Sequence, residues 1–475
     1  MYQLIIFLLG FLAVFSALFF TKKKKEWRSK ILKIMTVSFC TLMFVRFFLS
    51  DAFILVINGA WEGGEYIKTT DYLQLVLRWG FYTNCAVLPM AVFTDSRFFK
   101  NLAGYFSLPF SILSAVFFND YMAYFLSPGG RGYDIAPSLR YIEFILELVL
   151  AIAIPVILHV SEKHVFAVKD KTEWKNFLFG IPAVIVTMMP TYAPQAILGY
   201  GVRTPGKLST YHLVWLAVAF VLVMALYYLF RFRSYKDRYN LCLFLTLVLF
   251  FHYNSLYLMG VTLKRLPFQL CNIAAYFYMI AIIFKLEKMF HFCFLANVVG
   301  TLFAMVAPDF SAGNYSFWNA HFIWEHTLVL FIPALAMGLR IFPRVTRKSL
   351  KYYFVGFTAY FLFAFIVGTV INGYSDVTGE RVNYFFMFDL NMAFDYFPFL
   401  KFTEDTHYVF GRFEVYPLIV LIVYAGFSLL NCLFYLGVKF FYKLEDDHLA
   451  LRGSGIDLYE KITKKQSRRP KQFID

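Results

Sequence analysis

A thiol, an imidazole and a carboxylate occur inside apolar stretches of the second half of the chain. Cys271 lies in "LPFQLCN", and Glu325 and His326 lie in "FIWEHT". A thiol in apolar surroundings is unreactive until a base takes its proton, and a histidine can be that base. These residues indicate acyl transfer, in which Cys271 would attack an ester carbonyl and form a thioester. His326 would be the base, and Glu325 would have an orienting role.

Other polar side chains of the sequence could assist this reaction. Candidates for oxyanion contacts or polar support are Asn254, Gln269, Asn372, Asn383 and Tyr384. Amide and hydroxyl donors of this kind stabilise the negative oxygen of an acyl-transfer intermediate. Lys264 and Arg265 stand just before residues 266–272, the cysteine segment that contains Cys271. Because basic residues at a membrane surface attract lipid phosphate, these two are candidate contacts for a lipid head group.

A structural interpretation competes with the catalytic one. A cysteine in a transmembrane helix is usually a small packing residue, and a membrane histidine usually bonds a neighbouring helix. We give the packing interpretation to Cys40, Cys242, Cys293 and Cys432. Cys271 differs from them because Gln269 and Asn272 flank it. No two cysteines have C-x-x-C spacing, so we expect no disulfide framework, no metal site and no cofactor.

The composition is that of a membrane protein. The 475 residues are 60% hydrophobic and only 16% charged, whereas soluble proteins are nearer a quarter charged. The net charge of +15 lies in short clusters between apolar runs. We therefore predict no nucleic-acid partner, and we assign the positive charge to cytoplasmic loops.

Hydropathy predicts thirteen transmembrane helices, since about 20 apolar residues cross a bilayer as helix. The predicted spans are 2–20, 31–58, 71–95, 102–125, 141–161, 175–195, 210–231, 240–260, 266–284, 290–308, 319–341, 351–372 and 415–441. Basic clusters follow the odd-numbered spans, which predicts an outer N-terminus and a cytoplasmic C-terminus. Cys271 would lie about six residues into the ninth span, ~9 Å from its outer end, at a depth similar to that of His326.

An internal repeat is visible beneath the hydropathy. The segment "LRWGFYTNC" ending at Cys85 resembles "LKRLPFQLC" ending at Cys271, and "FILELVLAIAIP" resembles "FIWEHTLVLFIP". Six spans per copy is an even number, so the two copies would be parallel. The predicted organisation is a six-helix unit at 1–200, a second membrane domain at 205–445 that ends with one extra helix, and a basic cytoplasmic tail at 446–475.

The first copy lacks the catalytic combination. It has Leu148 where the alignment of the repeats expects a histidine. Glu143 and Glu147 are four residues apart and so share a helix face. We interpret these carboxylates as an ion site or as salt-bridge partners of Arg78, in a degenerate copy that shapes the cavity.

The same residues carry a family resemblance. The order of "LPFQLC", "NVVGTLFAMVAPD", "HFIWEHTLVL", Asn372, "NYFF" and "VYPLIVLIVY" resembles the YwaF-like integral membrane proteins of bacteria and their animal relative, transmembrane protein 164, over roughly 205–445. The resemblance implies a polytopic lipid acyltransferase with its cysteine at Cys271 and its histidine at His326. Many bacterial members have a histidine where this chain has Gln269, so His326 would have to serve alone.

The sequence therefore predicts an all-α, multi-pass protein of a cell membrane, with the bacterial plasma membrane as its expected location. Its expected partners are membrane lipids. The function that we favour is a lipid acyltransferase or lipid-remodelling enzyme with a Cys–His pair near the outer leaflet. Parallel repeats and intramembrane carboxylates are also typical of secondary transporters of a lipid or small solute. A non-catalytic membrane scaffold is the third interpretation.

Overall fold

A computed structural model describes most of the chain, and the described residues are predominantly helical. The described residues are 1–22, 24–49, 60–62, 65–67, 72–122, 137–161, 171–201, 204–206, 208–259, 261–310, 313–390, 394, 398–403 and 405–451. Parts of several predictions fall outside this set: residues 50–58 of the second predicted span, 71 of the third, 123–125 of the fourth, 260 of the eighth, and 452–475 of the predicted tail.

The described helices follow one another along the whole chain. In the first half they are α1 Tyr2–Phe20, α2 Lys25–Leu49, α3 Tyr72–Phe93, α4 Arg97–Leu102, α5 Leu108–Val116, α6 Phe118–Met122, α7 Pro137–Ser161, α8 Lys171–Thr187 and α9 Ala193–Leu198. In the second half they are α10 Thr210–Phe230, α11 Tyr235–Asn254, α12 Leu270–Ile283, α13 Glu287–Val306, α14 Phe317–Gly338, α15 Arg347–Gly373, α16 Ser375–Thr378 and α17 Pro417–Leu451.

Short irregular elements connect these helices. A π-helical turn at Ala103–Ser107 joins α4 to α5. The 3₁₀ turns are Ser255–Met259, Leu263–Arg265, Tyr384–Phe386 and Pro398–Thr403. Two antiparallel hairpins are formed by β1 Ala60–Glu62 with β2 Glu65–Ile67 and by β3 Tyr408–Phe410 with β4 Phe413–Val415. Gly411 turns the second hairpin at φ 62°, a conformation that a glycine adopts without steric cost.

Ten helices of the described part are long and apolar enough to cross a membrane. Two shorter apolar helices, Trp174–Thr187 and Leu270–Ile283, accompany them. The chain is therefore an all-helical, multi-pass membrane protein in architecture. Three finer features stay predictions: the count of thirteen spans, the parallel repeat and the orientation of the termini.

Several predicted spans differ in the structure from the uninterrupted helix that hydropathy suggested, and the breaks in three of them have a clear position. The sixth ends at Thr187 instead of 195, and Pro190, which lacks a backbone donor, follows it. The ninth begins at Leu270 instead of 266, because a residue before a proline, here Leu266 before Pro267, avoids the α conformation. In its described part, the fourth is divided between the π-helical turn Ala103–Ser107, α5 and α6, and it starts at Leu102, the last residue of α4. Hydropathy counts apolar residues and does not register these breaks.

The chain folds as two compact units, each built from several segments of the sequence. Unit 1 comprises Met1–Gly206, Leu247–Val261 and Phe310–Trp324, and unit 2 comprises Lys207–Thr246, Thr262–Asp309 and Glu325–Asp475. Within unit 1, α7 packs against α1 and α2, and α3 packs against α2. Within unit 2, α13 packs against α12, α15 and α17. The predicted domain boundaries near 200 and 446 stay predictions.

Candidate functional site

Cys271 lies in the first turn of α12, directly after the proline-containing segment. The predicted position, about six residues into its span, is therefore wrong for the helix as it is formed: Gln269 is the N-cap and Cys271 is the second helical residue. The first four N–H groups of a helix have no partner within it, and the helix dipole adds positive potential there. Both features favour negative charge near the thiol, as a thiolate or as the oxyanion of an intermediate.

The thiol has polar neighbours in unit 2. Cys271 Sγ donates a hydrogen bond to Asn272 Oδ1 at 3.1 Å, and the side chain is half-buried. The Glu325 carboxyl group and the Tyr360 hydroxyl both interact electrostatically with the thiol. Glu325, predicted only to orient His326, is thus itself within electrostatic range of the thiol.

Gln269 joins the cysteine segment to the loop after α16. Its Nε2 donates to the Asn383 carbonyl oxygen at 3.0 Å, and its Oε1 accepts from the Phe385 backbone N–H at 3.0 Å. One side chain thereby satisfies a donor and an acceptor of a loop more than 100 residues away in sequence. Gln269 therefore positions the backbone next to Cys271, and both ends of its side-chain amide are hydrogen-bonded to the loop.

The asparagines of this region hold the same loop. The Asn372 amide donates to the Val382 carbonyl at 2.9 Å and accepts from the Val382 N–H at 2.8 Å. The Asn383 side chain donates to the Asp389 carbonyl at 2.7 Å and accepts from the N–H groups of Phe388 and Asp389. Of the two predicted roles, oxyanion contact and polar support, this geometry favours polar support.

Two tyrosines, one from the loop and one from α15, hold the residues that precede Cys271. The Tyr384 hydroxyl donates to the Leu263 carbonyl at 2.7 Å, and the Tyr360 hydroxyl of α15 donates to the Phe268 carbonyl at 2.9 Å. The ring of Phe268 packs edge-on against Tyr384, with the centroids 5.7 Å apart. The residues before Cys271 are therefore fixed by backbone contacts from both the loop and α15.

The loop contains backbone strain. Phe385 and Phe386 have φ values of 54° and 56°, a left-handed conformation that is unfavourable for bulky residues. The Phe385 ring compensates by packing at 5.4 Å from Phe357 and 4.8 Å from Phe427. These contacts keep the Phe385 N–H in place for Gln269.

The two basic residues before the cysteine lie near the same loop. The Lys264 backbone N–H donates to Glu380 Oε2 at 3.2 Å, and the Lys264 side chain is exposed. Partial burial lowers the pKa of the Arg265 guanidinium, and the charge of Glu380 opposes that shift. A lipid phosphate would stabilise the cationic form in the same way, so both residues stay candidate head-group contacts.

His326 and Glu325 are buried on α14, 5% and 6% exposed. Tyr278, two turns after the cysteine on α12, donates from its hydroxyl to the Val329 carbonyl at 3.1 Å, which ties α12 to α14. Trp215 Nε1 donates to Thr327 Oγ1 at 2.8 Å and ties α10 to the same part of α14. These bonds fix the helix that carries His326. Direct contact between His326 and Cys271 stays a prediction.

A groove runs along unit 2 between α12, α13 and α15, with a volume of ≈ 740 Å³. Its lining is almost entirely apolar and includes Ile273, Phe292 and Val355. Tyr360 also lines it. The Tyr360 hydroxyl bonds the Phe268 carbonyl, three residues before Cys271, and Ile273, two residues after it, lines the same groove. One end of the groove therefore lies near the start of the helix that carries Cys271, although Cys271 is not itself a lining residue. Sequence reasoning missed the groove, because no single residue type marks it.

Asn254 and the carboxylates of the first copy lie in unit 1. Asn254 Nδ2 donates to the Phe250 carbonyl of its own helix at 2.7 Å. Glu147 is fully buried and forms a salt bridge of 3.0 Å with Arg46, which is equally buried. Arg78 donates to the Tyr121 carbonyl at 3.1 Å. The sequence analysis missed Arg46 as a partner of Glu147, although a lone arginine in an apolar span was a usable signal.

Aromatic rings surround the buried arginine. The guanidinium carbon of Arg46 is 4.8–5.6 Å from the ring centroids of Phe81, Tyr82, Tyr121 and Phe144. Its Nη1 also donates to the Tyr121 hydroxyl at 2.6 Å, and that hydroxyl bonds Glu147. Cation–π contacts and a paired carboxylate thus stabilise a charge that would otherwise be costly inside a membrane.

The second half of the chain has relatives among known protein families. Residues 207–435 match the model of the TMEM164 family. This part of the chain is related to the TMEM164 family. The predicted resemblance to transmembrane protein 164 is thereby confirmed for these residues, while the likeness to bacterial YwaF stays a prediction. Comparisons with curated proteins and with solved structures gave no match.

The TMEM164-like segment includes most of the predicted site. Cys271, Gln269, His326, Asn372 and Asn383 all fall inside 207–435. The residues of the buried charge cluster, Arg46, Arg78, Glu143 and Glu147, fall outside it. The Cys271 site thus lies in unit 2 and within the family match, whereas the buried charge cluster lies in unit 1 and outside that match.

Loss of the Gln269 amide is expected to loosen the site. Gln269→Leu leaves the Phe385 N–H and the Asn383 carbonyl without this partner, and each such loss costs about 1–3 kcal/mol when the group is buried. Gln195→Leu is a matched control, because Gln195 Oε1 accepts from the Phe317 N–H within unit 1. We expect both variants to lower stability. Only Gln269→Leu should change the rate at which Cys271 reacts with a maleimide, and equal rates in both would contradict a positioning role.

Proposed function

We propose that this protein is a membrane-embedded lipid acyltransferase that carries the acyl group on Cys271. The observation that carries the proposal is that Ile273, two residues after Cys271, and Tyr360, bonded to the Phe268 carbonyl three residues before it, both line the apolar groove. An acyl chain in the groove would have its carbonyl end beside a nucleophile. The relation to the TMEM164 family and the first-turn position of the thiol support the same reaction.

The reaction would proceed in two acyl-transfer steps. His326 accepts the thiol proton, and the sulfur attacks the ester carbonyl carbon of a phospholipid. The bond between that carbon and the glycerol oxygen breaks, the oxygen takes the proton from His326, and a lysophospholipid leaves. The hydroxyl of another lysophospholipid then gives its proton to His326 and attacks the thioester. The carbon–sulfur bond breaks, and the sulfur regains the proton, so no oxidant is needed.

The surrounding groups have supporting roles. Backbone N–H groups at the start of α12 would donate to the oxyanion of each intermediate. Gln269, Asn372 and Asn383 would keep the strained loop against the cysteine segment. Glu325 would orient the imidazole and the thiol. Lys264 and Arg265 would contact the phosphate of the donor lipid, since both lie just before the helix that carries the nucleophile.

A secondary transporter is a second candidate function, favoured by the buried Arg46–Glu147 pair of unit 1. Charged groups inside membrane proteins often mark ion or substrate paths. The two candidates predict different sensitive residues. For a transporter, Glu147→Gln would abolish uptake driven by an ion gradient, whereas Cys271 variants would leave uptake unchanged.

The experiment that tests the acyltransferase is acyl exchange in proteoliposomes with isotopically labelled phosphatidylcholine and an unlabelled lysophospholipid. Loss of a general base typically costs about 10²–10⁴-fold in rate, so we expect His326→Gln to slow exchange by at least about 100-fold. His321→Gln is the matched control, because His321 is also a buried histidine of α14. Equal rates for both variants, in protein that remains folded, would remove His326 from the mechanism.

A further inference from the structure

The groove of unit 2 has two chemically different ends. Ile273, two residues after Cys271, and Tyr360, which bonds the Phe268 carbonyl, line the end nearer the start of α12. Lys288 and Lys351, near the starts of α13 and α15, line the other end. Along α15 the lining runs from Lys351 to Phe363. Twelve residues of helix correspond to ~18 Å, so the groove extends over about that length of α15.

The middle of the groove is apolar and closely packed at its floor. Gly356 allows the Phe292 ring to approach, because a Cβ at position 356 would lie 2.5 Å from the Phe292 Cγ atom. Val355 stands at the rim, 65% exposed, and Ala359 lies one turn nearer the thiol. Among the described residues that line the groove, none between Tyr360 and Tyr352 is charged. Such a lining accommodates an alkyl chain and offers nothing to a polar ligand.

The end of the groove at Lys288 and Lys351 is charged and exposed to solvent. Lys288 and Lys351 are both exposed, and the Lys288 ammonium lies 5.9 Å from the centre of the Tyr352 ring. Ammonium groups must stay hydrated or paired with an anion. An alkyl chain that extended past Tyr352 would displace that hydration and gain no apolar contact.

We propose that the groove selects the transferred acyl chain by its length, with Lys288, Lys351 and Tyr352 setting the upper limit. The occupant is a single fatty acyl chain whose carbonyl end lies at Cys271 and whose methyl end points toward the lysines. The proposal rests on the proposed acyltransferase function and names the part of the substrate that the site distinguishes.

The test uses the full-length protein in vesicles that contain equal amounts of lauroyl, palmitoyl and arachidoyl phosphatidylcholine, with the transferred chains identified by mass spectrometry. Val355→Trp fills the groove near its middle, and Ala359→Phe fills it one turn closer to the thiol. We expect both to favour shorter chains, Ala359→Phe more strongly, with the ratio of arachidoyl to lauroyl transfer falling at least about 10-fold. The double variant Lys288→Leu, Lys351→Leu should raise that ratio.

Val221→Trp is the matched control. Val221 belongs to α10 of the same unit and is 62% exposed, close to the 65% of Val355, but it does not line the groove. The Val221→Trp variant should transfer acyl chains with the same distribution of lengths as the unchanged protein. If the groove variants transfer chains in the same proportions as Val221→Trp, length selection by the groove is overturned.

A binding experiment separates failure of this inference from failure of the acyltransferase proposal. Cys271→Ala protein is irradiated with a phosphatidylcholine that carries a diazirine at the methyl end of its acyl chain, and the cross-linked peptides are mapped. Cross-links at Tyr352 or Val355 support the chain site even if no transfer reaction is found. Cross-links at the lysine end from a probe labelled on its head group would mean that the lipid binds in the reverse direction, and would overturn the inference.

Discussion

Replacing Cys271 by serine is expected to lower acyl exchange by about 10³-fold or more, since removing the nucleophile of a covalent mechanism removes most of the rate enhancement. A serine hydroxyl is nearly the size of the thiol but a much weaker nucleophile at neutral pH. Because Cys271 is half-buried at a helix start and its thiol donates to the adjacent Asn272, which a serine hydroxyl can also do, the substitution should leave the fold intact.

Cys293→Ser is the control for this prediction. Cys293 lies in α13 of the same unit, is completely buried and is not a lining residue of the groove. We expect it to retain exchange activity in whatever fraction remains folded. Exchange at the normal rate in Cys271→Ser would exclude the thiol mechanism.

The second large effect concerns stability. Arg46→Met is expected to lower the free energy of unfolding by about 3–5 kcal/mol, because it leaves the buried Glu147 carboxylate without its cationic partner. Replacing both members, as in Arg46→Met with Glu147→Leu, should restore most of the loss, since well-packed apolar residues often substitute for a buried ion pair. Equilibrium unfolding in mixed detergent measures the difference.

Arg412→Met provides the comparison for the buried pair. Arg412 and Asp376 form an exposed ion pair at 3.7 Å in unit 2, and such pairs contribute about 0–1 kcal/mol. Equal destabilisation by Arg46→Met and Arg412→Met would mean that burial does not decide the energetics. If the double variant is stable and still exchanges acyl chains, the cluster is structural, and the transporter alternative loses its support.

The long apolar helices were predictable because hydrophobicity alone defines them. The predicted spans 2–20 and 210–231 differ by at most one residue from Tyr2–Phe20 and Thr210–Phe230. The helix of Cys271 was not placed correctly, because Pro267 interrupts an apolar run without changing its hydropathy. The consequence for the site is large: the thiol moves from the interior of a helix to its first turn.

The residue types of the site were predictable, but their contacts were not. Polar residues in apolar runs pointed to Cys271, His326 and Gln269 from composition alone. The bonds from Gln269 to Asn383 and Phe385 join segments more than 100 residues apart, and no local pattern encodes such pairing. The partner of Glu147 was missed for the same reason, because Arg46 lies 101 residues away.

Formation of an acyl thioester on Cys271 is the most direct measurement of the proposed chemistry. Purified protein would be incubated with palmitoyl phosphatidylcholine in the absence of a lysophospholipid and then analysed by intact mass and peptide mapping. The predicted result is a palmitoyl adduct on Cys271 that neutral hydroxylamine removes and that disappears when lysophospholipid is added. Sustained acyl exchange by protein whose Cys271 never carries an acyl group would contradict the mechanism.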